Sequence, residues 1–518
     1  MPTMKSDELI DTESLSIRED GKVLKRKLND RMTTMLALTS IIGPGCLIGT
    51  ANALKNGPGS LLLSFGLIGI IALIMMQSLG EVTVMYPGQG SFSSISIKFV
   101  DKSWGLTIGW YYAIIWIAVL ANEYNVISNI MVFWGPQVPI YGYVLIFWSA
   151  SLAFQFLGVG WFGEVEFWIG LVKISGLVAF YIFSIVYVAG GINKPAFGFH
   201  YWNDPGAFND GFKGVASTFV FASTFFAGVE AIATMASEVK NPGKALPRAI
   251  YQTIFRIFFI YIGLAISYGM TVPYDDPKLN NGTKTLQSPM TIAIANAGWA
   301  GGANLINAFI LITCLSALNG SIYIGSRTLV NLAREGGLFK FFGYINSRGV
   351  PVYSVILMNC FGLLSLMNIS TGASEAYNYI VNLSGISVFI VWASVSFVHL
   401  RFRRSWVLQG RSLEDIPFKG LFYPYFPILS IILNLFLALI QGWSYFKPFQ
   451  AGNWVDAYIL IPFFFVLFFF FKIVHKTKWV NLREVDLDEG RRKDIDYDSE
   501  ELEPEKTSRK FYFFKRND

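Results

Sequence analysis

Apolar stretches of about 20 residues recur along this chain from Met32 to Val474, and no other feature narrows its fold so far. That length is what a helix needs to cross a hydrocarbon core of about 30 Å. Runs such as "SLLLSFGLIGIIALIMM" and "AYILIPFFFVLFFFFKIV" carry almost no charge. Twelve such segments begin near residues 32, 59, 105, 141, 166, 213, 250, 303, 352, 377, 426 and 455. Composition agrees: of 518 residues 53% are hydrophobic and 15% charged, against about 25% charged in soluble domains. The chain reads as an all-α polytopic membrane protein with twelve transmembrane helices.

Lysine and arginine in the short loops set the orientation. With a cytoplasmic N-terminus, the inside segments hold "KVLKRK" at Lys22–Lys27, then Lys240, Lys244, Arg248, Arg401, Arg403 and Arg404. The outside loops then hold Lys55, Lys194, Lys213, Lys278, Lys284 and Lys447. Both termini are therefore expected in the cytoplasm. The first thirty residues are polar and show no cleavable signal peptide. The net charge of +6 follows from the loop bias and carries no nucleic-acid meaning. Cys46, Cys314 and Cys360 fall in apolar segments, which gives no disulfide framework and no metal site. His200, His399 and His475 lie in loops or at segment ends, and no nucleophile motif appears, so an enzyme is not expected. Asn281 in "NGT" and Asn368 in "NIS" are glycosylation candidates in expected outside loops.

The expected organisation is an N-terminal tail over 1–31, a membrane domain over 32–475 and a C-terminal tail over 476–518. Both tails are charged, with little to bury, and read as mobile. The outside loop from Gly190 to Gly214 has aromatics enough to fold onto helix ends. Between the second and third segments, Phe92, Ile95 and Phe99 fit an amphipathic interfacial helix. The first segment is interrupted at Gly43-Pro44-Gly45 and the sixth at Ala227-Gly228. Breaks at matching places five segments apart point to inverted repeats around a midplane site. The repeats would cover about 32–190 and 213–400, with two extra helices over about 424–475.

A broken helix in hydrocarbon leaves backbone groups that cost several kcal/mol each unless something satisfies them. The half-helix starting near Cys46 turns free N–H groups toward the gap, which suits a carboxylate. The carbonyls of Ser40, Ile41 and Ile42 suit an ammonium, so the break can hold both ends of a zwitterion. A proline kink packed on a neighbour would explain the same residues. Glu123, Lys173 and Glu230 lie inside segments, where each charge costs roughly 2.5–3.5 kcal/mol. Such residues line a pathway or a site, or else form a buried ion pair. Thr313, Ser316, Asn319 and Ser321 can line one face of the eighth segment, or glue helices together.

Several stretches carry a family resemblance: "IIGPGCLIG", "QSLGEVTVMYPGQGSF", "EFWIGLVKISGL", "ASEVKNPGKALPRAI" and "GSRTLVNLAREGGLFK". With them the chain, from about Lys25 to Lys493, resembles the fungal amino acid permeases, the yeast amino acid transporter family of the amino acid–polyamine–organocation superfamily. The resemblance implies a leucine-transporter-like fold, two inverted five-helix repeats plus two helices, with helices 1 and 6 broken. It implies import of L-amino acids across the plasma membrane by proton symport, with protons as coupling ion and no other cofactor. Carried over, Gly43, Pro44, Gly45 and Cys46 form the loop that binds the substrate carboxylate. Carbonyls near Ser40–Ile42, Phe225 and Phe226 take the ammonium, and Phe226 is the aromatic that closes over the substrate. Ala227 and Gly228 flank it, Glu230 is the helix-6 acid, and Lys173 is the lysine that replaces a sodium ion. Glu123 can pair with extra positive charge. Pro44, Ala227 and Val229 depart from the usual pattern toward a less polar pocket, which fits broad specificity. The tail shows "FYFF" at Phe511–Phe514 in place of Phe-Trp-Cys, so no lipidated C-terminus is inferred. An amino acid receptor on the same fold, or a permease for polyamines or other organic cations, are the alternatives. Expected partners are L-amino acids, membrane lipids, and trafficking and ubiquitylation machinery acting on the tails.

Overall fold

The structure is a computed structural model that describes residues 30–39, 42–87, 91–135, 137–192, 195–236, 242–280, 288–299, 301–367, 369 and 373–491. The chain is helical, with no β-strand among the described residues. The main helices are α1 (Asp30–Thr39), α2 (Gly45–Leu54), α3 (Pro58–Met85), α4 (Phe92–Phe99), α5 (Lys102–Trp134) and α6 (Ile140–Gln155). Then come α7 (Val159–Val188), α8 (Gly211–Phe226), α9 (Ala231–Met235), α10 (Leu246–Thr271), α11 (Pro289–Asn296) and α12 (Gly302–Glu335). The last are α13 (Val352–Phe361), α14 (Ala373–Leu408), α15 (Tyr425–Ile440), α16 (Ala451–Tyr458) and α17 (Leu460–His475).

Local chemistry sets the ends. Gly57, at φ 97°, turns the chain before Pro58 opens α3, where a proline loses no helical hydrogen bond. Ser91 caps α4 by accepting the N–H groups of Ser93 and Ser94, and Asp101 caps α5 by accepting that of Ser103. α5 sits at the centre, packed along α12 and α14, while α1 lies on α7 and α3 on α8. Gly80 lets Ile250 approach so closely that a Cβ there would stand 2.1 Å from it. Small residues at such crossings are how helices associate in lipid, where burying apolar surface gives no gain.

Outward faces are apolar: Trp161, Trp168, Ile182 and Ile185 on α7, Ile432 and Leu439 on α15, Val466 and Phe469 on α17. An inside buried and an outside equally apolar is what a lipid-embedded protein requires. The expected starts of the apolar segments fall close to helix starts, but the expected twelve full crossings are not all present as single long helices. Six helices, α3, α5, α7, α10, α12 and the Asn378–Leu408 part of α14, are long and apolar enough to cross alone. α16 and α17, bent by 44°, would make a seventh span as a pair. The first and sixth segments are each split in two, and α6 and α15, at 16 residues each, reach only about 24 Å.

Three expectations need correction. The helix over Phe92–Phe99 exists, but its apolar residues Phe92, Ile95 and Phe99 are buried against the protein and not turned outward toward lipid. His399 is not at a segment end but inside α14, 1% exposed, with Nε2 3.0 Å from the Glu81 carboxylate. Arg403 and the Gly420 N–H bind the same carboxylate, tying α3 to α14 and the loop beyond it. Residues 476–491 are not a solvated tail. Leu487 and Val485 are buried, Val480 N–H bonds Val100 O at 2.9 Å, and Tyr86 OH bonds Leu487 O at 2.8 Å. Gln409 and Arg401 of α14 donate to carbonyls of the same strap. Ser40, Ile41, Asn281 and Asn368 lie outside the described residues.

Candidate functional site

Both expected breaks are present. α1 ends at Thr39, and the chain resumes as α2, π-helical from Gly45 to Gly49 and α-helical from Thr50. The half-helix therefore starts one residue before Cys46, with Pro44 as its cap at φ −62° and ψ −26°. A proline fits there because the first N–H groups of a helix have no intrahelical acceptor. Gly43 and Gly45 are required by close neighbours. A Cβ on Gly45 would stand 2.5 Å from the Phe225 ring, and one on Gly43 3.2 Å from Ala317 and 3.5 Å from Glu123 Oε1.

The second break runs over Ala227–Glu230, between α8 and α9. Gly228 has φ 98°, a conformation that glycine alone adopts without strain. Its N–H bonds Glu230 Oε1 at 3.1 Å, while Trp392 of α14 donates to Glu230 Oε2 at 3.3 Å. Glu230 thus satisfies backbone that the break sets free, and it does not line the cavity described next. The Phe225 carbonyl accepts the Tyr261 hydroxyl at 2.7 Å, and the Phe226 carbonyl accepts Val229 N–H at 3.2 Å.

Between the two breaks, α5, α7 and α12 line a cavity of about 60 Å³. Of the expected site residues, Gly43, Pro44, Gly45, Glu123, Phe225 and Ala227 line it. Ile42, Cys46 and Gly228 sit beside it in the backbone of the breaks. The ring at the cavity is Phe225. Phe226, expected to close over a ligand, instead stacks on Tyr261 at 3.5 Å. Successive helical side chains point about 100° apart, so the two rings cannot share one wall. Lys173 lies fully buried and donates from Nζ to Thr39 O, the last residue of α1, at 3.3 Å. Ile42 N–H bonds the same oxygen at 3.0 Å.

Glu166 and Arg256 are buried charges that the sequence reading did not single out. Glu166, on α7, lines the cavity and accepts the Ser316 hydroxyl at 2.6 Å. Arg256, on α10, is 1% exposed and bonds Thr253. Glu166 lies seven residues before Lys173, the spacing of one helix face, which was the available signal. On α12, Ser316 and Ser321 do line the cavity, whereas Thr313 bonds the Phe309 carbonyl and Asn319 gives its carbonyl to Gln155. The site thus brings the N-terminal end of α2, whose dipole suits an anion, beside two carboxylates suited to a cation. Among the described residues no cluster of His, Cys, Asp and Glu is arranged to hold a metal.

Comparison with known proteins bears on this geometry. The family profile described as amino acid permease matches residues 33–483. The general amino acid permease AGP3 of Saccharomyces cerevisiae is 55% identical over 504 residues, covering 95% of this chain and 90% of its own. An uncharacterised amino-acid permease of Schizosaccharomyces pombe is 47% identical, over 90% of this chain and 87% of its own. The amino-acid permease GAP5 of Candida albicans is 35% identical, over 97% and 82%.

Proposed function

The chain belongs to the amino acid permease family, and from that premise we propose that it imports L-amino acids across the plasma membrane by proton symport. The twelve apolar segments would form two inverted five-helix repeats, about 32–190 and 213–400, plus two helices over about 424–475, with both termini cytoplasmic. Substrate carboxylate would meet the N–H groups at the start of α2, and substrate ammonium would meet Glu123 and the carbonyls that end α1. Breadth of substrate is supported by the largely apolar break residues Pro44, Ala227 and Val229 and by the word "general" in the AGP3 name.

The observation that carries the coupling is the Lys173 ammonium on the Thr39 carbonyl. That contact ties α7 to the end of α1 where the chain breaks. The bond is charge-assisted while Lys173 is an ammonium; the neutral amine keeps two N–H donors but loses the charge and gains a lone pair that a carbonyl repels, so the contact weakens. Gain and loss of one proton would therefore strengthen and weaken a link between α7 and the first broken helix, which is a bias that alternating access can use. Phe225 lines the cavity of about 60 Å³, and movement of its ring would make room for larger side chains. The test is uptake of each of the twenty amino acids at two pH values, in a host lacking its own permeases. Uptake of many amino acids, faster at the lower pH, is expected. Uptake indifferent to pH would overturn the coupling, and uptake of one amino acid alone would overturn the breadth.

A further inference from the structure

Two carboxylates face the cavity, one ammonium lies buried behind its wall, and their charges do not cancel. Glu123 reaches it from α5 and Glu166 from α7, while Lys173 follows Glu166 by two turns, about 10 Å along the axis. Lys173 is bonded to Thr39 O, and among the described residues no ion pair within 4.0 Å joins it to either carboxylate. Glu166 is 3% exposed. Its Oε2 is held by the Ser316 hydroxyl at 2.6 Å, and its Oε1 is buried with no hydrogen-bond partner among the described residues. One oxygen fixed and the other bare, in a cavity wall, make a seat for a cation or a proton.

The surrounding charges leave this count unchanged. Cys46 of α2 and Cys314 of α12 are buried thiols, which carry no charge near neutral pH. Arg327 of α12 lies eleven residues past Ser316, about 16 Å along the helix, stacked 3.5 Å over the Tyr323 ring. On α1, Arg31 pairs at 2.6 Å with exposed Glu164. Glu230 is opposed by Arg256, away from the cavity wall. With Glu123, Glu166 and Lys173 all ionised, one negative charge is in excess. A zwitterionic amino acid adds none, and an uncompensated buried charge is costly.

We propose that Glu166 Oε1 is the seat for one compensating positive charge: a proton when the substrate is neutral, the side-chain ammonium or guanidinium when the substrate is a basic amino acid. The proposal rests on the amino acid transport reading above. The proton comes from the outer solution, adds to the carboxylate, and leaves to the cytoplasmic side after the substrate. No bond within the substrate changes. Neutral and basic substrates must then differ by one proton bound per molecule, whatever the absolute counts.

The experiment is calorimetric titration of the purified full-length protein with leucine and with lysine, in two buffers of different ionisation enthalpy at one pH. Leucine should bind with one proton more than lysine. In Glu166→Gln the difference should vanish, and lysine should weaken relative to leucine by roughly tenfold or more, the loss of a charged hydrogen bond. Equal proton counts in the unmutated protein would overturn the proposal, and that arm decides alone if the variant does not fold. A difference that survives in Glu166→Gln would also overturn it, as would binding confined to one of the two amino acids. Failure of both amino acids to bind is a separate result that removes the transport reading itself.

Discussion

Gly45→Ala adds a single methyl where two elements meet, and its effect follows from the geometry. The new Cβ would stand 2.5 Å from Phe225 Cδ1, 3.1 Å from Cε1 and 3.2 Å from Cγ. Carbon atoms pack at about 3.5–4.0 Å, so the ring must move by about 1 Å. Its surroundings give it little room. Phe65 and Phe221 pack near it at 6.2 and 6.4 Å between centroids, and the Phe225 carbonyl is held by Tyr261. Overpacking of this kind costs about 1–3 kcal/mol. The open side is the cavity, so the cost should appear mainly as lost substrate affinity, about 5- to 150-fold. Uptake kinetics over a concentration series, with a thermal melt of the purified protein, measure both forms of the loss. Gly66→Ala is the control, since a Cβ there meets nothing within 4 Å. If Gly45→Ala keeps the half-saturation and the melting midpoint of the parent, the Phe225 ring is not the wall of a substrate site.

Other changes should act at separate points. Lys173→Ala removes the donor on Thr39 O and should abolish uptake or its response to a pH gradient while the protein still reaches the cell surface; surface labelling beside uptake checks this. Glu230→Gln places an amide N–H₂ against the N–H donors of Gly228 or Trp392 and should cost about 1–3 kcal/mol, read as a lower melting midpoint. The strap over 476–491 has a pH signature. The Arg411 guanidinium holds the Asp488 carboxyl below the usual carboxylate range, and the N–H groups of Asp488 and Glu489 do the same for Asp486. Depressed values mean that their contribution is complete above the ordinary carboxylate value, about 3.9, and lost only as pH falls through the lower folded values. Resistance of the strap to proteolysis should stay constant between about pH 8 and pH 5, and Arg411→Ala should expose it.

What was legible in the chain is what depends on neighbours in sequence. Apolar runs mark the helix starts, and Gly43-Pro44-Gly45 and Gly228 mark the breaks, because each acts on its own backbone. Features set by depth or by distant packing were not legible. Glu166 stands where the apolar run of its segment begins, which reads as a boundary where a carboxylate is cheap. The helix in fact starts at Val159 and carries Glu166 into the core. Arg256 was hidden in the same way by its nearness to the basic loop before α10. The choice between Phe225 and Phe226 turns on the rotation of α8, which sequence spacing leaves open. The docked strap did carry a signal in Val480, Val485 and Leu487, apolar residues in a segment whose charge suggested solvent.

The most direct measurement is accumulation of labelled amino acid in proteoliposomes containing the purified protein, with and without an imposed pH gradient. Accumulation above the outside concentration when the exterior is acidic, collapsing on addition of a protonophore and absent with Lys173→Ala, is the predicted result. Accumulation that ignores the pH gradient, or binding with no accumulation at all, would contradict proton-coupled import through the cavity between the two broken helices.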